Sequence, residues 1–280
     1  MKTGLVLEGG AMRGLFTAGV LDVFLDEQIQ VNGMVTVSAG ALFGVNFPSQ
    51  QRGRVLHYNL KYLNDKRYMG LHSLLTTGNV VNRDFAFYEL PFTLDPFDQT
   101  TFSQSNIDFW VTLTNVETGE PEYIKITDAF VQMETLRATS AMPMVSKMVE
   151  VDGKRYLDGG IADSIPLQKT FALGYNKIIV VLTRPLDYRK KPSSMMLFNL
   201  IYRKFPKLCQ RWANRYLEYN QAVERVIELE KQGKIFVIRP SVDLQISRLE
   251  KDPAKVQTMY DLGMSDAKKQ MQALKDYLAN

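Results

Sequence analysis

The apolar positions along this chain alternate between the spacing of strands and the spacing of helices. Thr3–Leu7 is a short apolar run that stops at Glu8-Gly9-Gly10, the pattern of a buried strand entering a turn. Over residues 15–25 the apolar side chains recur at helical spacing and leave a wide buried face. Asn32-Gly33 marks a turn, residues 34–37 a second strand, and residues 39–47 a second helix. Strand, glycine loop, helix, strand, tight turn, helix is the opening of a doubly wound α/β sheet. Both special loops then lie at the carboxyl ends of strands, where such folds place their ligands.

Further along, residues 109–114 and 122–126 predict two strands joined through Glu117-Thr118-Gly119. Asp128 is expected to cap a helix reaching about Ala138. Residues 148–151 and 155–157 flank Asp152-Gly153, a strong hairpin signal, and Asp158-Gly159-Gly160 follows at once. Pro166 suits the first turn of a helix to about Leu173. Residues 177–183 are the most strand-like in the chain. A helical region over 193–231, interrupted near Pro206, a strand over 234–239 and an amphipathic helix over 254–278 complete the pattern. The expected organisation is a catalytic core over 1–185. A helical C-terminal region over 186–280, with one further strand, is expected to pack on the same domain.

Length and composition narrow the class. With 280 residues the chain is near the limit of a single core, and its apolar content is ordinary for a globular protein. The single cysteine, Cys209, cannot form an internal disulfide and is expected to be inert. Only three apolar residues precede Glu8, too few for a signal peptide, and no uncharged run is long enough to span a membrane. A cytoplasmic location is the expectation. The net charge of +4 conceals a focus: residues 184–215 hold nine cations against one acid, Asp187. That points to an anionic partner. Between 195 and 215, Met, Leu, Phe and Trp interleave with Arg203, Lys204, Lys207, Arg211 and Arg215. Such a helix can lie in a lipid interface or pack as an ordinary amphipathic helix. Nothing resembles a nucleic-acid motif, and two histidines with one cysteine argue against a metal site.

Three clusters carry the chemistry. Thr36-Val37-Ser38-Ala39-Gly40 places a serine on a tight strand-to-helix turn, which exposes a nucleophile; its plain reading is an N-cap. Asp158-Gly159-Gly160 sets an acid on a glycine loop, which serves as a base or simply as turn chemistry. Gly9-Gly10-Ala11-Met12-Arg13-Gly14 offers backbone amides for an oxyanion, or for a phosphate. It lacks the spacing of dinucleotide loops and the Gly-Lys-Ser/Thr of a P-loop. His57 and His72 both precede Asp158, so the order Ser, Asp, His of α/β-hydrolases is excluded. Both are expected to be structural or surface residues.

Together the clusters resemble the patatin-like phospholipase family, serine lipid acyl hydrolases with a Ser–Asp dyad. The block Ala138-Thr139-Ser140-Ala141-Met142-Pro143 resembles another family segment, and the likeness covers roughly residues 4–183. It implies a three-layer α/β/α fold with a mostly parallel central sheet. It implies Ser38 as nucleophile and Asp158 as general base, with Gly9, Gly10 and Ala11 forming the oxyanion hole. Arg13, Gly14, Gly40, Gly159 and Gly160 would support them. No cofactor or metal is implied; the substrate is a lipid ester, and an anionic membrane is a peripheral partner through residues 203–215. Two departures stand out. Thr36 replaces the first glycine of the family's Gly-x-Ser-x-Gly elbow, and Ala11 replaces a third loop glycine. Thr36 is expected to crowd the elbow, and Ala11 is strained if its φ is positive. The alternative is therefore a weakened family member that binds lipid or membrane without significant turnover.

Overall fold

The computed structural model describes residues 2–279. Among these, eight strands form one sheet: β1 (Thr3–Leu7), β2 (Gly33–Val37), β3 (Asp108–Asn115), β4 (Pro121–Ile126), β5 (Val149–Val151), β6 (Lys154–Asp158), β7 (Lys177–Val181) and β8 (Phe236–Ile238). The order is β5-β6-β3-β2-β1-β7-β8, with β4 also paired to β3. The run β3-β2-β1-β7-β8 is parallel, and β4, β5 and β6 extend it antiparallel.

β1, β2 and β7 are apolar almost throughout because the sheet is covered on both faces. Alternation along β1 divides the core: Leu5 and Leu7 join the larger cluster, while Val6 joins a second one with Ile178, Val180 and Val237. The helix Pro206–Lys231 covers the second face through Tyr219, Val223, Val226 and Leu229. On the first face the helix Leu15–Asp26 is buried nearly all round, because the C-terminal helix Pro253–Ala279 lies across it. A Cβ on Gly19 would come within 2.2 Å of the Tyr260 carbonyl, and one on Gly263 within 2.1 Å of the Phe16 carbonyl. The backbones therefore touch there. The result is a three-layer α/β/α fold with a mostly parallel sheet.

Most expected elements lie within a few residues of their predicted positions, with instructive differences. Asp128 caps no helix; its carboxylate accepts from the Phe130 and Val131 amides in a local turn. The helix begins later, at Met133–Thr139. The hairpin turn is tight, with Asp152 and Gly153 both at positive φ. The stretch between residues 48 and 107, for which the pattern predicted nothing, holds the helices Arg54–Tyr62, Leu71–Thr77 and Gln99–Gln104. It also holds a wide π-type helix, Phe85–Leu94, with Pro91 inside it.

Candidate active site

β3 brings the two key loops together. β2 runs parallel to β3 and pairs as far as Val37 with Thr112. β6 runs the opposite way and pairs from Asp158 with Leu113. The two strands thus run toward each other and end on adjacent rungs of β3. Ser38 follows the end of one, and Asp158 is the last residue of the other. A side chain on Gly159 would come within 2.0 Å of the Thr112 carbonyl, so only glycine fits where the ends meet.

Ser38 is buried, at φ 55° and ψ −126°, a region costing non-glycine residues about 1–3 kcal/mol. The surroundings fix it. Its amide donates to the Thr139 hydroxyl at 2.9 Å, and that hydroxyl donates to the Thr112 carbonyl at 2.6 Å. Gly40 lets the elbow helix, Ala39–Gly44, close on the end of β1: a Cβ there would meet the Leu7 carbonyl at 2.7 Å. Thr36 does not crowd the turn. It lies within β2, fully buried, and its hydroxyl donates to the Trp110 carbonyl at 2.8 Å across the sheet.

The Ser38 hydroxyl donates to Asp158 Oδ2 at 2.6 Å. Asp158 Oδ1 accepts the Gly160 amide at 2.7 Å, its backbone N–H donates to Ala141, and its carbonyl accepts from Thr114. Burial pushes its carboxyl above the usual range, against the opposing pull of Ser38, Gly160, Arg215 and Arg248. A raised carboxyl is a stronger base, which suits a serine partner that lacks imidazole.

The glycine loop stands beside the serine: a Cβ on Gly9 would sit 3.0 Å from that of Ser38. Among the described residues, none of the Gly9, Gly10 and Ala11 amides donates to another backbone carbonyl. Ala11 has φ 50°, so this loop position does take the conformation that favours glycine, at a cost of about 1–2 kcal/mol. Gly14 packs against Ala39 and Phe43 of the elbow helix. Glu8, beneath the loop, accepts from the Tyr219 hydroxyl at 2.7 Å and the Thr183 amide at 2.6 Å, tying β1 to the C-terminal region.

Ser38 lies on the wall of two cavities. One, of about 150 Å³, is apolar and lined by Leu42, Phe43, Tyr58, Phe87, Leu90 and Phe97 among others. The other, of about 90 Å³, is polar; Arg13, Arg184, Lys190, Arg215 and Arg248 face it, with Glu8 and Asp158. Burial, with Arg184 next, lowers the Arg13 guanidinium to about 10. Burial and Arg215 hold the Lys190 ammonium well below its usual range.

The structure therefore gathers Ser38, Asp158, Gly9, Gly10, Ala11, Arg13 and Gly160 around one cavity. His57 and His72 line neither cavity and are exposed; His57 Nδ1 lies 2.6 Å from Asp95 Oδ2. The nine-cation run does not form one face. Arg189 pairs with Glu224, and Arg211 with Glu120 and Glu218, while Arg184, Lys190 and Arg215 turn into the polar cavity. Lys191, Arg203, Lys204 and Lys207 remain exposed. Sequence reasoning missed Thr139 as a partner of Ser38, although its segment had been singled out. It also missed Glu8, Tyr219 and Arg248, whose places in the site carry no local signal.

An uncharacterized protein of Escherichia coli strain K12, YjjU, is 29% identical over 189 residues, covering 66% of this chain and 52% of that protein. The chain thus spans about half the length of this curated relative. Among solved structures, VipD from Legionella pneumophila aligns with a TM-score of 0.41 and 11% identity, over 96% of this chain and 67% of that one. Residues 205–279 match a domain of unknown function (DUF6363). Residues 5–171, more than half of the chain and including Ser38 and Asp158, match the patatin-like phospholipase family. The chain belongs to that family.

Proposed function

We propose that this protein is a serine lipid acyl hydrolase that cleaves carboxylic esters through a Ser38–Asp158 dyad. The carrying observation is the 2.6 Å hydrogen bond from a backbone-strained Ser38 to a buried Asp158. Ser38 Oγ attacks the ester carbonyl as its proton passes to Asp158. The oxyanion of the tetrahedral intermediate takes the amides of Gly10 and Ala11, preorganised by the loop. Collapse expels the alcohol, which takes the proton from Asp158, and leaves an acyl-Ser38 ester. Water then attacks that ester; Asp158 accepts its proton and returns it to Ser38 as the fatty acid departs. The apolar cavity takes the acyl chain.

A membrane contact fits the same face. The helix Met196–Ile201 exposes Met196, Leu197, Leu200 and Ile201, followed by exposed Arg203, Lys204 and Lys207. Its buried Phe198 stacks on Trp212, a residue of the polar cavity, and Tyr202 accepts the Met144 amide beside the cavity-lining Met142 and Pro143. An apolar ridge with adjoining cations suits an anionic bilayer. Salt-sensitive sedimentation with anionic vesicles, weakened by neutralising Arg203, Lys204 and Lys207, is the expected result; equal binding by that variant counts against it.

Fluorophosphonate labelling tests the reaction. The label is expected on Ser38, with labelling falling at least tenfold in Asp158→Asn. Well-folded protein that takes no label at Ser38 would refute the proposal and favour a lipid-binding protein without turnover.

A further inference from the structure

The polar cavity holds more positive charge than the dyad uses. Four arginines and the Lys190 amine face it, against two carboxylates, Glu8 and Asp158, that already accept hydrogen bonds. Both Glu8 oxygens accept hydrogen bonds, from Tyr219 and from Thr183. Asp158 holds Ser38 and Gly160. Surface arginines such as Arg189 and Arg211 have glutamate partners at hydrogen-bond distance. The cavity cations differ. Among the described residues Arg13 Nε is buried without a partner, and Arg184, lying over the Tyr188 ring, comes no nearer to a carboxylate than 3.7 Å, at Asp243. Lys190 Nζ stands 3.8 Å over the Tyr219 ring, and Arg215 Nε donates to the Gly160 carbonyl at 2.5 Å. Among the described residues neither Lys190, Arg215 nor Arg248 forms an ion pair with a carboxylate. Unpaired cations sharing a small cavity repel one another, and an anion between them relieves that.

Ser38 separates this cavity from the apolar one, and Ala11, Met142 and Arg248 border both. A glycerophospholipid has the matching layout: an acyl chain on one side of the ester carbonyl and, a few bonds away on the other, a phosphate. We propose that the cavity faced by Arg13, Arg184, Lys190, Arg215 and Arg248 binds the phosphate head group of an anionic phospholipid substrate. Arg215 and Arg248 belong to the C-terminal region that matches the domain of unknown function, so selecting the head group is that region's part in the site. Head groups that carry their own cation, such as choline, are disfavoured in this field.

This inference rests on the hydrolase reading, and the experiment separates the two. Wild type, Lys190→Gln and Arg248→Gln are assayed in uncharged detergent micelles on phosphatidate, phosphatidylcholine and diacylglycerol with identical acyl chains. Melting curves check folding; Arg248 is exposed, so its replacement is the safer variant. Glycerol 3-phosphate and inorganic phosphate are titrated calorimetrically into Ser38→Ala protein, with and without Arg248→Gln. The expected result is at least tenfold higher kcat/KM on phosphatidate than on either other lipid. Each substitution is expected to cut the phosphatidate-to-diacylglycerol ratio at least fivefold, and glycerol 3-phosphate to bind at least fivefold more weakly when Arg248 is lost. Equal loss on all three lipids would mean that the cations serve only the dyad, and overturns the proposal. Binding of inorganic phosphate without any lipid preference assigns the cavity to a free anion and overturns it too. Absence of turnover on every lipid refutes the hydrolase reading; the calorimetry then decides the cavity alone, and no binding by either anion overturns it.

Discussion

The apolar cavity beside Ser38 makes chain-length dependence a quantitative test. Its volume is about 150 Å³. Filling an apolar cavity of that size recovers roughly 24 cal/mol per Å³, or about 3.6 kcal/mol. Four buried methylenes at about 0.8 kcal/mol each give about 3.2 kcal/mol, so the two routes agree. Because the chain is held equally in ground and transition states, the gain falls on kcat/KM, mainly through KM. A series of p-nitrophenyl esters from acetate to octanoate should therefore climb by about fourfold per methylene, then level off after roughly a 300-fold rise. Ala129→Leu perturbs the series from within. Ala129 is buried on the cavity wall, next to Phe130, which stacks with Phe92 and packs edge-on against Phe97. The three added carbons enter the cavity, so octanoate should lose about 60-fold while acetate changes less than twofold. A flat series in wild type, under threefold from acetate to octanoate, would refute the acyl-cavity assignment. An equal loss on acetate and octanoate in Ala129→Leu would mean that the substitution disturbs the elbow instead.

Three further outcomes follow from the site. Burial raises the Asp158 carboxyl, and a base must be ionised, so kcat/KM should fall on its acid side at a pH above the ordinary aspartate range. The folded protein holds that proton more tightly than the unfolded chain, so ionisation subtracts stability at neutral pH and relief comes as pH falls. Asp158→Asn should thus lose turnover by at least 100-fold yet raise the urea midpoint at pH 7.5; a lowered midpoint contradicts the reasoning. Ala11→Gly removes about 1–2 kcal/mol of positive-φ strain and adds about 0.4–1 kcal/mol of unfolded-state entropy. Urea unfolding should show a gain of up to about 1.6 kcal/mol, with kcat within twofold. Thr36→Gly deletes a fully buried side chain and its bond to Trp110, so it should cost about 1–3 kcal/mol without raising esterase turnover. A fivefold rise in turnover would restore the crowding argument.

The elements that were legible are those whose physics is local. A continuous apolar run ended by glycines marks a parallel strand, and Asp152-Gly153 fixes a hairpin because both residues take positive φ. Ser38 and Asp158 stood out because turn chemistry concentrates small residues around them. That they meet was not legible from either segment, since the meeting depends on adjacent rungs of β3. The apolar cavity is not legible for another reason. Tyr58 comes from a short helix, Phe87 and Leu90 from a π-type helix containing Pro91, which breaks the 3.6-residue period, and Phe97 from the loop after it. The run of cations is legible as an excess of charge, but not which way each side chain turns. Arg211 and Arg215 lie one turn apart on the same helix, yet one pairs with glutamates outside while the other reaches the Gly160 carbonyl within the site. Arg13 and Arg248 join them from opposite ends of the chain.

The costs in this structure are concentrated in one place. Ser38 and Ala11 take backbone conformations that most residues avoid, Asp158 is buried, and four arginines and Lys190 share a small cavity. None of these stabilises the fold, so each is held by rigid surroundings. Thr139 and Gly40 hold the elbow, Gly159 and Thr114 the acid, and Glu8 with Tyr219 the floor beneath the loop. Four arginines stand against the two acids, so the imbalance is positive and faces the cavity. An elbow and a base alone need no such excess: Asp158 is already countered by Gly160, Ser38 and Arg215. The excess is explained if the missing negative charge arrives with the substrate. The C-terminal region then does more than cover the sheet, because it brings Arg215 and Arg248 to the cavity beside Ser38.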